Sequence, residues 1–97
     1  NEGDTMLCLK KISPTRLVKN TLYAKVAEAE AAGADADALR TIMGKAASKR
    51  GIFEGDVENG EIEIGQIASA VKSIDTVADI FARLNREYNE RLSCLIK

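Results

Sequence analysis

The sequence predicts a small α+β domain that is mainly helical, with an N-terminal extended arm, three or four helices and a short β element within residues 1–97. Three observations carry this reading. Thr15–Ala32, Asp35–Gly51 and the stretch after Asp75 are rich in helix formers, with apolar residues returning at spacings near one or two turns. Thr5–Ile12 and Glu61–Ile64 read as extended. A length of 97 residues fits one domain, and a chain of that size buries only roughly 60–65% of its unfolded surface, so its core must be compact.

Thr5–Ile12 is a short apolar run of β-compatible residues. Ser13-Pro14 ends it, because proline lacks a backbone donor and biases its predecessor toward extended geometry. Leu17, Leu22, Val26 and Ala29 then predict one helix from Thr15 to Ala32, stopped by Gly33. Asp35 or Asp37 caps the next helix by accepting from its free N–H groups. Its stripe is Leu39, Ile42, Met43, Ala46 and Ala47, and Gly51 ends it. Gly44 inside that stripe costs about 1 kcal/mol against alanine, marking close packing or a bend.

Asn59-Gly60 forms a tight-turn pair, since both residues tolerate positive φ. Glu61-Ile62-Glu63-Ile64 alternates polar and apolar, the period of a half-buried strand. No register of Gly55–Ile64 places glycine and a distal glutamate as a calcium loop requires. Gly65–Ile74 opens as a short helix or turn, and Asp75 is the expected N-cap of the last helix. Val77, Ile80, Phe81, Leu84, Tyr88 and Leu92 share one face of it and are expected in the core. Its other side pairs Arg83 with Glu87, Arg86 with Glu90 and Glu87 with Arg91. Exposed pairs of this kind contribute about 0.3–0.5 kcal/mol each and mark a solvated face.

Composition removes several chemistries. With no histidine, Ser-His-Asp and Cys-His arrangements cannot be assembled, nor can a zinc site with imidazole ligands. Cys8 and Cys94 lie near opposite ends without a C-x-x-C, so no metal site is expected and both thiols read as reduced. No apolar run approaches the ~20 residues of a membrane helix and no signal-peptide pattern appears, so a soluble, cytoplasmic chain without a membrane partner is expected. Lys10, Lys11, Arg16, Lys19 and Lys25 crowd one segment, while Glu54, Asp56, Glu58, Glu61 and Glu63 crowd another. These read as solvated faces of opposite sign, the functional counterpart being a phosphate-facing basic edge. A nucleotide site at Lys10, Lys11 and Arg16 lacks an accompanying glycine-rich loop. A pI of about 5.5 and only 4% aromatic residues argue against nucleic acid.

Two blocks of sequence resemble a known family. Arg16-Leu-Val-Lys-Asn20, after a threonine-containing extended segment, resembles the R-x-φ-K-N element of nitronate monooxygenases (2-nitropropane dioxygenases). The related FMN-dependent enoyl-acyl-carrier-protein reductase II enzymes carry the same element. Gly55-Asp-Val, then Gly60, then Gly65-Gln-Ile-Ala68 resemble that family's C-terminal G-D-x…G…G-Q-x-A/S block. The likeness covers nearly the whole chain.

The resemblance implies an FMN-binding (β/α)₈ barrel followed by a smaller, mainly helical substrate domain, of which this chain is the second part. The barrel needs about 250 residues and is lacking here. FMN would accept hydride or electrons, from a nitronate or, with an enoyl thioester as substrate, from NAD(P)H. The resemblance places Gly65 and Gln66 at the flavin-side cleft. Glycine permits close backbone approach there, and the amide donates and accepts. Thr5 and Met6 are expected on the substrate side, and Arg16, Lys19 and Asn20 against the barrel. No catalytic residue falls on this chain, which is expected to be inactive alone and to hold no FMN tightly. Apolar surface left bare predicts self-association, as a symmetric dimer through the Thr5–Ile12 arm or the last helix. The alternative is a free-standing helical protein-interaction module, in which Leu95 and Ile96 extend the apolar character of the last helix.

Overall fold

The computed structural model describes residues 1–96. Its elements run β1 (Thr5–Cys8), β2 (Thr15–Val18), α1 (Thr21–Ala31), α2 (Ala36–Met43), α3 (Ala47–Ile52), a 3₁₀ turn (Gln66–Ala70) and α4 (Val77–Leu95). The fold is α+β and mainly helical, as the sequence predicts.

β1 and β2 pair antiparallel, with Thr5 opposite Val18 and Cys8 opposite Thr15. The chain turns between them at Leu9, whose φ of 57° is left-handed. Leu9 O accepts from Ile12 N and Ser13 N at 3.0 and 2.9 Å, while Leu9 N donates to the Glu30 carboxylate. A side chain of α1 thereby pins the hairpin turn.

Thr15–Val18 is a strand, not the first turn of a helix. Hydrogen bonds on both sides hold it there: Lys19 N donates to Asp4 O (2.9 Å), Val18 N to Ile62 O (3.0 Å) and Ile64 N to Arg16 O (3.0 Å). Two sheet partners outweigh helix propensity over four residues, and Leu17 reaches the core from a strand. The helix starts after Asn20, whose side chain accepts from Tyr23 N at 2.9 Å.

The helix expected from Asp35 to Gly51 is two helices. Asp35 caps the first by accepting from Ala38 N at 2.8 Å, while Asp37 pairs with Arg40 at 3.1 Å. Gly44, at φ 68° and ψ −171°, breaks the run, and Ala46 at φ 59° starts the next helix. Gly44 is therefore a break, and Gly51 lies within α3 instead of ending a helix.

In the loop after α3, positive φ falls at Gly55, not at Asn59-Gly60. The Asp56 side chain closes that turn by accepting from Asn59 N at 2.9 Å. Glu61–Ile64 lies along the free edge of β2, with Glu63 opposite Leu17. The alternation is present, but it sets the glutamates on the same sheet face as Leu17.

Cys8, Leu9, Leu17, Leu22, Val26, Leu39, Met43 and Ala47 form the core, flanked by Ile12, Tyr23 and Ile42. The α4 stripe does not join it: Phe81 is 61% and Tyr88 66% exposed. The hairpin and α1–α3 already close the core, and the chain after Ala70 leads α4 away, giving an elongated body of 53 × 30 × 21 Å. Asp75 lies one residue too early to cap α4. Thr76 Oγ1 accepts from Asp79 N at 3.2 Å instead, and Asp75 pairs with Arg83 at 2.9 Å.

Candidate functional site

The two motif blocks, distant in sequence, bind one another. Asn20 is the clasp. Its Oδ1 caps α1, and its Nδ2 donates to Val57 O and Gly60 O, each at 2.9 Å. Leu22 N adds a bond to Glu58 O at 3.3 Å. Gly60 packs against the backbone of Gly51, so close that a Cβ on either would collide with its neighbours. Beyond Gly60, Glu61 N donates to Ala47 O (2.9 Å) and Ser48 Oγ to Glu61 Oε2 (2.7 Å). Residues 61–64 then follow β2 and carry Gly65 and Gln66 toward Arg16 and Thr5.

A cleft of about 480 Å³ opens there, lined by Thr5, Arg16, Gly65, Gln66, Ile67 and Ser69, with Asn1, Glu2 and Gly3 also along its wall. The half-buried Arg16 donates from Nη1 to Thr5 Oγ1 at 3.1 Å. A Cβ added at Gly65 would meet nothing within 4 Å, so the space beside that backbone is open. Thr5, Arg16, Gly65 and Gln66 are thus brought together. Met6, next along β1, projects to the opposite sheet face and is exposed. Lys19 is exposed outside the cleft, and Asn20 turns its amide inward to the loop.

Sequence reasoning missed Ile67 and Ser69. A 3₁₀ turn has three residues per turn, so Ser69 falls beneath Gln66, a placement legible once that turn type is known. It also missed the interaction between Glu61 and Glu63. A hydrogen bond to Glu61, then partial burial, then the charge of Glu61 raise the Glu63 carboxyl above its ordinary value. Burial pushes the Cys8 thiol up to about 11, with smaller contributions from the charges of Glu30 and Glu61. Cys94 is exposed. Among the described residues, no cluster of cysteine and carboxylate side chains could hold a metal ion, and no helix is long and apolar enough to cross a membrane.

This arrangement provides a small polar wall with the Arg16 guanidinium, the amides of Asn1 and Gln66, the hydroxyls of Thr5 and Ser69, and the Glu2 carboxylate. Comparison with protein-family models and with curated proteins returned no match to this chain.

Proposed function

We propose that this chain is the C-terminal substrate domain of a cytoplasmic FMN-dependent oxidoreductase, of the nitronate monooxygenase or enoyl-acyl-carrier-protein reductase II type, and is inactive by itself. The observation that carries the reading is the mutual binding of Arg16–Asn20 and Gly55–Ala68. It sets Thr5, Arg16, Gly65 and Gln66 around one cleft. Chance likeness in two short motifs would not require them to share a clasp.

The flavin supplies the redox chemistry when bound. The residues present fit its edge: open space lies beside the Gly65 backbone, and the exposed Gln66 amide offers both a donor and an acceptor. Thr5 belongs to the substrate side together with Arg16, which shares its cleft, while Lys19 is exposed toward the barrel and Met6 stands on the other sheet face. The apolar stripe of α4 is the surface that the barrel would cover.

Titration with FMN tests this directly. The chain alone should give no tight, spectrally shifted complex. Mixed with an FMN-loaded nitronate monooxygenase barrel stripped of its own C-terminal domain, it should restore nitronate oxidation or NAD(P)H-dependent enoyl reduction. A stoichiometric flavin complex that oxidises NAD(P)H without any barrel would overturn the reading.

The exposed stripe also favours a second reading, a free-standing helical interaction module. Val77, Phe81, Leu84, Tyr88 and Leu92 stand on one face of a 19-residue helix that has solvent before it. The genomic frame separates the two. An upstream open frame with strand-helix alternation supports the flavoenzyme, and a start codon directly before Asn1 supports the module. In either case the isolated chain should sediment as a dimer, and Phe81→Asp should return it to a monomer.

A further inference from the structure

We propose that the cleft beside Arg16 binds the oxyanion of a small ligand, a phosphate monoester or a carboxylate, through the Arg16 guanidinium. Arg16 differs from the other arginines in standing half-buried beside an open cleft without a charged partner; Arg91 also lacks an ion pair among the described residues but is exposed. Arg40 pairs with Asp37, Arg83 with Asp75, and Arg86 with Glu90, while Arg50 donates to Lys45 O. Arg16 makes no ion pair among the described residues, although it is half-buried, and its guanidinium bonds only to the Thr5 hydroxyl. A guanidinium carries five N–H donors, and withdrawing it from water without an anion is unfavourable.

Geometry supplies room for that anion. Arg16 faces an open volume of about 480 Å³, with the backbone of Gly65 unobstructed beside it. Gln66 and Ser69 add an amide and a hydroxyl to the same wall. Glu2 is the one carboxylate along the cleft; it is exposed and forms no ion pair with Arg16. The planar fork of the guanidinium matches two oxygens of one ligand, the shared chemistry of carboxylates and phosphates.

The lysines nearby do not form this site. Lys11 Nζ donates to Ala34 O at 2.8 Å, and neither Lys10 nor Lys11 lines the cleft. The proposal needs only residues of this chain and stands whether or not a flavin barrel accompanies it.

Titration followed by amide and Arg Nε NMR tests it, with inorganic phosphate and acetate as separate probes at constant ionic strength. Saturable shifts should appear at Arg16 Nε, Gly65, Gln66 and Ile67, with Kd on the order of 1–10 mM. Saturation by either probe supports the site, and the tighter probe identifies the ligand source. Arg16→Gln should weaken binding at least tenfold, whereas Arg40→Gln should leave it within about twofold. Should Arg16→Gln fail to fold, Arg16→Lys keeps the charge without the fork and should weaken binding at least threefold. Linear shifts that never saturate, shifts centred on Lys10 and Lys11, or unchanged binding in Arg16→Lys would overturn the proposal.

Discussion

Gly51 and Gly60 meet backbone to backbone. A methyl group on Gly60 would strike the Cα and N of Gly51 and approach Asp56 O to 2.6 Å. One on Gly51 would strike Glu61 O and come within 2.7 Å of Ile62 Cδ1. Main-chain atoms have nowhere to retreat. Gly60→Ala is therefore expected to cost about 2–4 kcal/mol in urea unfolding. Gly65→Ala, whose added Cβ meets open space at φ −80°, should change stability by less than about 1 kcal/mol. Equal effects of the two substitutions would contradict the packing described.

Asn20 has two jobs in one side chain, and substitutions separate them. Asn20→Ala loses the α1 cap and leaves Val57 O and Gly60 O without their donor, an expected loss of about 2–3 kcal/mol. Asn20→Asp keeps the capping oxygen but turns a carboxylate oxygen on the Val57 and Gly60 carbonyls, so it should lose at least as much. Chemical denaturation of both variants checks the order.

The core and α4 should respond differently to truncation. Leu39 is fully buried, so Leu39→Ala is expected to cost about 2–5 kcal/mol. Phe81 is mostly exposed, so Phe81→Ala should fall within about 0.5 kcal/mol when measured on monomer. A large loss at Phe81 in dilute monomer would mean that α4 packs on the body.

The two thiols should differ in reactivity. Cys8 is buried and its thiol is pushed up to about 11, which leaves only about one molecule in a thousand as thiolate at pH 8. Iodoacetamide should modify the folded chain once, at Cys94, and reach Cys8 only in denaturant. Intact-mass measurement and peptide mapping give the count and the position.

Glu63 sets a pH dependence. Its carboxyl is raised in the folded state, so it favours the fold most below the ordinary glutamate value of 4.5, and this contribution is lost as pH rises through the raised value. Glu63→Gln should therefore be more stable than the parent at pH 7 and show a smaller gain on acidification from pH 7 to 5. Urea midpoints at both values test the sign.

Much of this architecture was legible in the sequence, and the failures share a physical origin. The apolar order of α1 and α2 and the break at Gly33 follow from local chemistry, which offers Asp35 or Asp37 as the cap between which the structure chooses Asp35. Thr15–Val18 could not be read locally, because its strand geometry is imposed by partners at Asp4 and at Ile62–Ile64. Gly60 reads locally as a turn residue for its conformational freedom, but the fold uses it for close approach to Gly51. The α4 stripe has the periodicity of a buried helix, and periodicity does not report whether the covering surface lies on the same chain. At the cleft, the resemblance points to Gly65, Gln66, Thr5 and Met6 and assigns Arg16 to docking on the barrel, whereas Arg16 lines the cleft and Met6 does not. Ile67 and Ser69 depended on the 3₁₀ turn, which no residue type announces.

The pairing of Leu17 with Glu63 encloses α1, α2 and α3 within a single chain loop. Those helices and the β1–β2 hairpin form from neighbours in sequence, whereas this contact must first overcome the entropy of closing the long loop. The cleft depends on that closure, since it needs Arg16 and Gly65 side by side. Binding competence should therefore arrive at the end of folding and depart at the beginning of unfolding. A ligand held there would act as a latch on the loop, slowing the unfolding of a body whose helices it never touches.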